Sequence, residues 1–163
     1  MSEHIFAYGS NMCLERLRLY NVNPLSAGQA AQLAGYVIQF NKRSTDGSGK
    51  ANLVPCDNKT TWGVLYMVTR QDLKSLNEGE KGYTAKQLNI IGPSGNVQAW
   101  VYIANMDQTT SGLQPYSWYK RFLVDGARFH QLPKEYVSEL EAIEALEDSN
   151  RQRDRQRRSI RCD

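Results

Sequence analysis

A mixed α+β fold, with one curled or barrel-like β-sheet and helices packed on it, is predicted by three observations. Short apolar runs broken by glycine, proline and asparagine recur from Ile5 to Ala104, the pattern of strands and turns. Beyond Pro115 the apolar residues fall at helical spacing instead. Neither an internal repeat nor a composition break interrupts residues 1–148, so strands and helices share one core.

Ile5-Phe6-Ala7-Tyr8 reads as a buried strand that ends in the turn Gly9-Ser10-Asn11. A short amphipathic helix is expected over Met12 to Tyr20. Residues 33–40 place Tyr36, Ile38 and Phe40 on one strand face, and Thr45 to Lys50 has the composition of a mobile loop. Ala51 to Pro55 and Trp62 to Val68 read as two further strands. Thr69 and Asp72 have capping-box spacing ahead of a two-turn helix that Gly79 and Gly82 limit. Tyr83 to Ile91 and Val97 to Ala104 flank Gly92-Pro93-Ser94-Gly95-Asn96, a hairpin signal. Two helices follow, Pro115 to Phe129 and one opening at Pro133 that carries Tyr136, Leu140, Ile143 and Leu146.

The 163 residues, 40% hydrophobic and 23% charged, suit a single soluble domain. No apolar run approaches the roughly 20 residues that cross a bilayer, so no membrane partner is expected. Met1-Ser2-Glu3-His4 lacks the features of a signal peptide, and a cytoplasmic location is expected. Three widely spaced cysteines, Cys13, Cys56 and Cys162, make a poor disulfide framework. Cys13 reads either as a nucleophile or, far more ordinarily, as a partly buried bystander thiol. His4 and His130 match no zinc-ligand spacing, so no metal is expected.

The net charge of +3 has a location. Residues 151–163 hold six Arg and two Asp, a local +4, which leaves residues 1–150 at −1. With so few apolar groups, residues 149–163 are expected to form a disordered, Arg-rich tail beyond a catalytic domain of residues 1–148. Contact with a polyanion is the alternative reading of that tail, but no aromatic residue interleaves the arginines, so nucleic acid is not an expected partner.

Two segments have the residue types for chemistry. In Tyr8-Gly9-Ser10-Asn11 the glycine lets backbone N–H groups approach a ligand, and Ser10 and Asn11 add polar reach. A helix opening at Met12 would add free N–H groups suited to a carboxylate or an oxyanion. In Leu76-Asn77-Glu78-Gly79-Glu80-Lys81-Gly82-Tyr83 a glutamate set against aromatic groups would move protons near neutral pH. Taken alone, the first is usually a structural turn and the second a solvated one.

Together they resemble the γ-glutamylcyclotransferase family. Phe6-Ala7-Tyr8-Gly9-Ser10-Asn11-Met12 is similar to its N-terminal Tyr-Gly-Ser-Asn signature. Leu76-Asn77-Glu78-Gly79-Glu80 is similar to its Leu-Asp-x-x-Glu-Gly segment, whose last glutamate is catalytic. Tyr119-Lys120-Arg121, Gly126-Ala127 and Leu132-Pro133-x-Glu135-Tyr136 resemble its C-terminal helices, so the likeness covers nearly all but the tail. The resemblance implies a γ-glutamylcyclotransferase-like fold and cyclisation of a small γ-glutamyl substrate to 5-oxoproline without cofactor or metal. It implies Glu80 as general acid–base. It also implies a substrate pocket floored by Ile5, Phe6, Ala7, Tyr8, Gly9 and Ser10, with Tyr119 contacting the substrate and Tyr83 and Asn11 helping to shape the site. Asn77 stands for the usual aspartate, and Lys81 where glycine commonly follows the catalytic glutamate. That second departure keeps Glu78 as the competing candidate. Residues two apart on a helix do not share a face, so only one should reach the pocket. The leaving group is left open between an amino acid, an amine and a larger metabolite, as is the choice between monomer and homodimer. A binding module that keeps the fold without the chemistry is the reading from a different class.

Overall fold

The computed structural model describes residues 1–163, and its five strands close into a barrel in the order β1-β3-β2-β4-β5. β1 (Ser2–Ala7) pairs antiparallel with β3 (Gly49–Thr69), with Phe6 opposite Leu65 and Ala7 opposite Val64. β3 also pairs with β2 (Gln29–Arg43). β4 (Tyr83–Gly92) and β5 (Gly95–Ala104) form the expected hairpin, and Ile5 against Trp100 closes the ring in parallel. Closure leaves the sheet without a free edge. Ile5, Phe6, Val64, Tyr66, Ile90 and Val101 are all buried in one apolar core with Trp118 and Phe122.

Two strands were expected where β3 runs unbroken for 21 residues. Thr60 pairs with Ala34 and Pro55 with Tyr36, so residues 56–59 form an excursion opposite Gly35, half-buried at Cys56 and exposed over 57–59. Backbone pairing on either side keeps the strand continuous where its side chains turn polar. The loop expected to be mobile is a tied hairpin end. Asp46 accepts from the Ser48 N–H at 2.9 Å, from its hydroxyl at 2.5 Å and from Lys50 Nζ at 3.3 Å, and Ser48 is buried.

The first helix is shorter than its apolar spacing predicts. A 3₁₀ turn over Ser10–Met12 is followed by extended Cys13, and only then by α1 (Leu14–Arg18). Thr69 and Asp72 form the capping box of α2 (Arg70–Gly79). α3 (Ser117–Phe129) carries seven buried residues on the barrel. α4 (Lys134–Glu141) stops before Leu146, because Leu146 donates to the Pro115 carbonyl and accepts from the Ser117 N–H, both at 2.8 Å.

The tail corrects two expectations. Residues 151–158 form helix α5 (Arg151–Arg158), capped by Asn150, which accepts from the Arg153 N–H. Composition hid the anchors. Asp148 has no solvent-accessible side-chain surface; it accepts from Trp118 Nε1 at 2.8 Å and from Arg153 at 2.6 and 2.7 Å. Arg121 Nη2 donates to the carbonyls of Arg157 and Ile160 at the far end. The second correction is covalent: Cys13 is no free thiol but is joined to Cys162, with Cα atoms 4.7 Å apart. Spacing of 149 residues in sequence carries no hint of this, since only the fold returns the C-terminus to α1. No helix is long and apolar enough to cross a membrane.

Candidate active site

A cavity of about 200 Å³ opens where the end of β1, α1, the β2–β3 hairpin and the C-terminus of α2 converge. Phe6, Ala7, Tyr8, Gly9, Ser10 and Asn11 form one wall; Glu80, Tyr83 and Tyr119 face it. Of the residues that the resemblance assigns to the pocket, Ile5 alone does not line the cavity. It lies further back along β1 from the Gly9 turn, buried in the apolar core.

Gly9 explains the wall's shape. A Cβ there would lie 3.1 Å from the Ala51 side chain, close enough to make it give by a few tenths of an ångström, and in ordinary contact with the Tyr119 hydroxyl at 3.5 Å. Tyr119 holds the other side by accepting from the Ala51 N–H at 3.0 Å, and Tyr83 donates to the Ala51 carbonyl at 2.8 Å. Tyr8 donates to the Tyr102 carbonyl at 2.5 Å. These tyrosines are fixed by their hydroxyls, and burial keeps them protonated: Tyr119 is pushed up to about 12, and Tyr8 and Tyr83 well above their ordinary value.

Glu80 caps α2, with φ −85° and ψ 64° after the last helical residue, which turns its side chain off the helix spiral. Gly79 makes the approach possible, since a Cβ there would meet the Tyr20 ring at 2.3 Å. Asn11 Nδ2 donates to Glu80 Oε1 at 2.6 Å, joining the two sequence segments across 69 residues. Burial raises the Glu80 carboxyl above the ordinary value; the Asn11 hydrogen bond and the charges of Arg16 and Lys42 pull it partly back. Glu78 lies exposed on α2 and lines no part of the cavity.

The sequence reading missed the cations. Arg16, Lys42, Lys50 and Lys81 all line the cavity, against Glu80 as its one carboxylate. Arg16 lies on α1, five residues beyond the Tyr8–Asn11 signature, and that proximity was the available signal. Lys50 ends the 45–50 segment, whose composition predicts a mobile loop and no site role. No group of three or more His, Cys, Asp or Glu comes together to hold a metal ion. The arrangement offers one proton-transfer group with a raised pKa, a backbone turn for oxygen atoms, and a positive surround for an anionic small molecule.

Comparison with known proteins gives this arrangement a context. The AIG2-like family model matches residues 60–140. The human protein named gamma-glutamylcyclotransferase is 29% identical over 150 residues, covering 85% of this chain and 77% of that one. The mouse protein of the same name is 27% identical over 152 residues, covering 87% and 79%. A solved structure named gamma-glutamyl cyclotransferase superposes with a TM-score of 0.81 at 26% identity, over 94% of this chain and 97% of that one.

Proposed function

This chain belongs to the γ-glutamylcyclotransferase-like, AIG2-like family, and on that premise we propose that it cyclises γ-glutamyl amino acids or amides to 5-oxoproline with Glu80 as general acid–base. The observation that carries the reading is Glu80 itself: a carboxylate at the cavity with its pKa raised by burial, hydrogen-bonded to the Asn11 of the signature turn.

The chemistry uses what the cavity offers. Glu80 takes a proton from the substrate's α-ammonium, and the freed nitrogen attacks the γ-carbonyl carbon within the same molecule. The carbonyl oxygen gains the negative charge, which the N–H groups of the Gly9–Ser10 turn are suited to receive. Glu80 then returns its proton to the leaving nitrogen, and the old C–N bond breaks. The carboxylate takes the second proton from the ring nitrogen and passes it to the departing amine, so that 5-oxoproline and an ammonium ion result. The nucleophile belongs to the substrate, so no serine or cysteine is required. Holding the γ-glutamyl chain in ring geometry lowers the barrier by removing its conformational freedom beforehand. The rigid Tyr8, Tyr83 and Tyr119 frame suits that task.

Release of 5-oxoproline from a panel of γ-glutamyl dipeptides is the direct test. Turnover by the wild type supports the reading; a wild type inert toward every γ-glutamyl compound, amines included, sinks it.

A further inference from the structure

Resting on that reading, we propose that Arg16 and Lys50 form a carboxylate subsite beside the reaction centre, reinforced by the charge of Arg157, that it takes the carboxylate of the leaving amino acid, and that the C-terminal helix thereby helps set which amine the site releases.

The cationic surround is not a by-product of composition. Residues 1–150 carry a net charge of −1, yet four of the five charged residues that line the cavity are basic. Arg16 is the sharpest of them. Its Nε is buried without a hydrogen-bond partner, and its guanidinium carbon lies 4.9 Å from the centroid of the Phe122 ring. A ring contact orients a guanidinium and leaves its N–H donors for a ligand, and the planar fork matches a carboxylate. Lys50 Nζ lies 4.4 Å from the ring centroids of both Trp118 and Tyr119, with Asp46 as a 3.3 Å counter-ion. That one partner does not offset its burial, which draws the ammonium down to about 8.

Arg157, which does not itself line the cavity, is the contribution of α5. Its guanidinium carbon lies 5.4 Å from the same Trp118 ring that Lys50 covers. Its charge acts on Arg16, on Tyr20 and on Lys50, all of which line the cavity. Three cations gathered round one aromatic patch repel one another, and an anion between them relieves that repulsion.

The direction of the subsite selects the group it binds. Arg16 and Lys42 are the cations that act on Glu80, where the γ-carbonyl must sit, whereas Lys50 and Arg157 are not among them and Arg157 acts on Arg16 and Lys50. The row therefore leads from the reacting carbonyl towards the tail. The part of the substrate that leaves along such a line is the amine's own substituent. The glutamyl head closes into the ring and stays with the Tyr8–Asn11 wall.

The test uses γ-glutamyl-alanine and γ-glutamyl-ethylamine, which differ only by the carboxylate on the leaving amine. Wild type should favour the alanine compound in kcat/KM, and Arg157→Gln should reduce that preference by about tenfold, the scale of one charge–charge contact at a partly exposed site. Lys50→Met should reduce it in the same direction; Arg157 is the cleaner probe, because Lys50 also braces the Asp46 turn. Equal wild-type turnover of the two compounds overturns the subsite while leaving cyclisation intact. An unchanged preference in Arg157→Gln, or an equal loss on both compounds, also overturns it. Turnover of neither compound by the wild type removes the cyclisation reading and the subsite together.

Discussion

Two carboxylates are drawn out of water in this chain, and their surroundings push them in opposite directions. Glu80 meets one amide donor, with Arg16 and Lys42 acting on it from beyond ion-pair distance, and burial prevails, so its pKa rises. Asp148 meets Arg153 twice, Trp118 Nε1 and the Asn150 N–H, and its pKa falls far below the usual carboxylate range. The hydrogen bond with Arg153 is the largest influence there, and it outweighs desolvation. One site is under-satisfied and the other saturated. The difference separates a group able to exchange a proton from a group that fastens a helix.

Removing the under-satisfied carboxylate should have the largest effect. Glu80→Gln keeps the Oε1 that accepts from Asn11 and removes the proton-transfer group, so kcat for 5-oxoproline release should fall by about 10²–10⁴-fold. Glu78→Gln, on the exposed face of α2, should stay near wild type in the same assay. Comparable losses in the two variants would erase the distinction drawn between them. The wild-type rate should also lose its acid side at a higher pH than an ordinary glutamate would give. The base must be deprotonated to act, and its raised pKa is crossed sooner as pH falls.

The tail supplies the next effects. Cys162→Ser removes the link to Cys13 and should lower stability by about 2–4 kcal/mol in denaturant titration. Faster amide exchange should appear in α5 before the barrel. Asp148→Ala leaves Trp118 Nε1 and Arg153 without their shared acceptor and should lower Tm by several degrees. Acid should not mimic it readily. A depressed folded-state pKa contributes stability that is present above the unfolded value near 3.9 and is lost only as pH falls towards the folded one. Protection of α5 should therefore persist from neutrality to about pH 4. Its loss near pH 5 or 6 would contradict the saturated environment.

What the sequence disclosed follows the same division. Patterns local in sequence were legible: the Thr69–Asp72 cap, the β4–β5 hairpin and the Tyr8–Asn11 turn each depend on residues a few positions apart. Glu80 could be singled out because its segment and that turn are both recognisable, although their 2.6 Å contact spans 69 residues. The Cys13–Cys162 link and the Asp148 anchor were illegible for a physical reason. Both depend on α3 lying between the barrel and the tail, so that Trp118 and Arg121 face residues far away in sequence. Charge composition reported six arginines, and only the fold reports what stands opposite each.

The smallest expected effect is the one that tests the comparison from the side of stability. A raised folded-state pKa contributes stability that is fully present below the unfolded value and is lost as pH rises through the folded one, so charged Glu80 weakens the fold at neutral pH. Glu80→Gln should thus be slightly more stable than wild type at pH 7, by a degree or two in Tm, with the gain vanishing near pH 4. Asp148→Asn should show the reverse: a loss at pH 7 that shrinks only in strong acid. Parallel pH profiles for the two variants would mean that both carboxylates answer to the same environment. Profiles that diverge with rising pH would tie activity at one site and anchorage at the other to how fully each charge is satisfied.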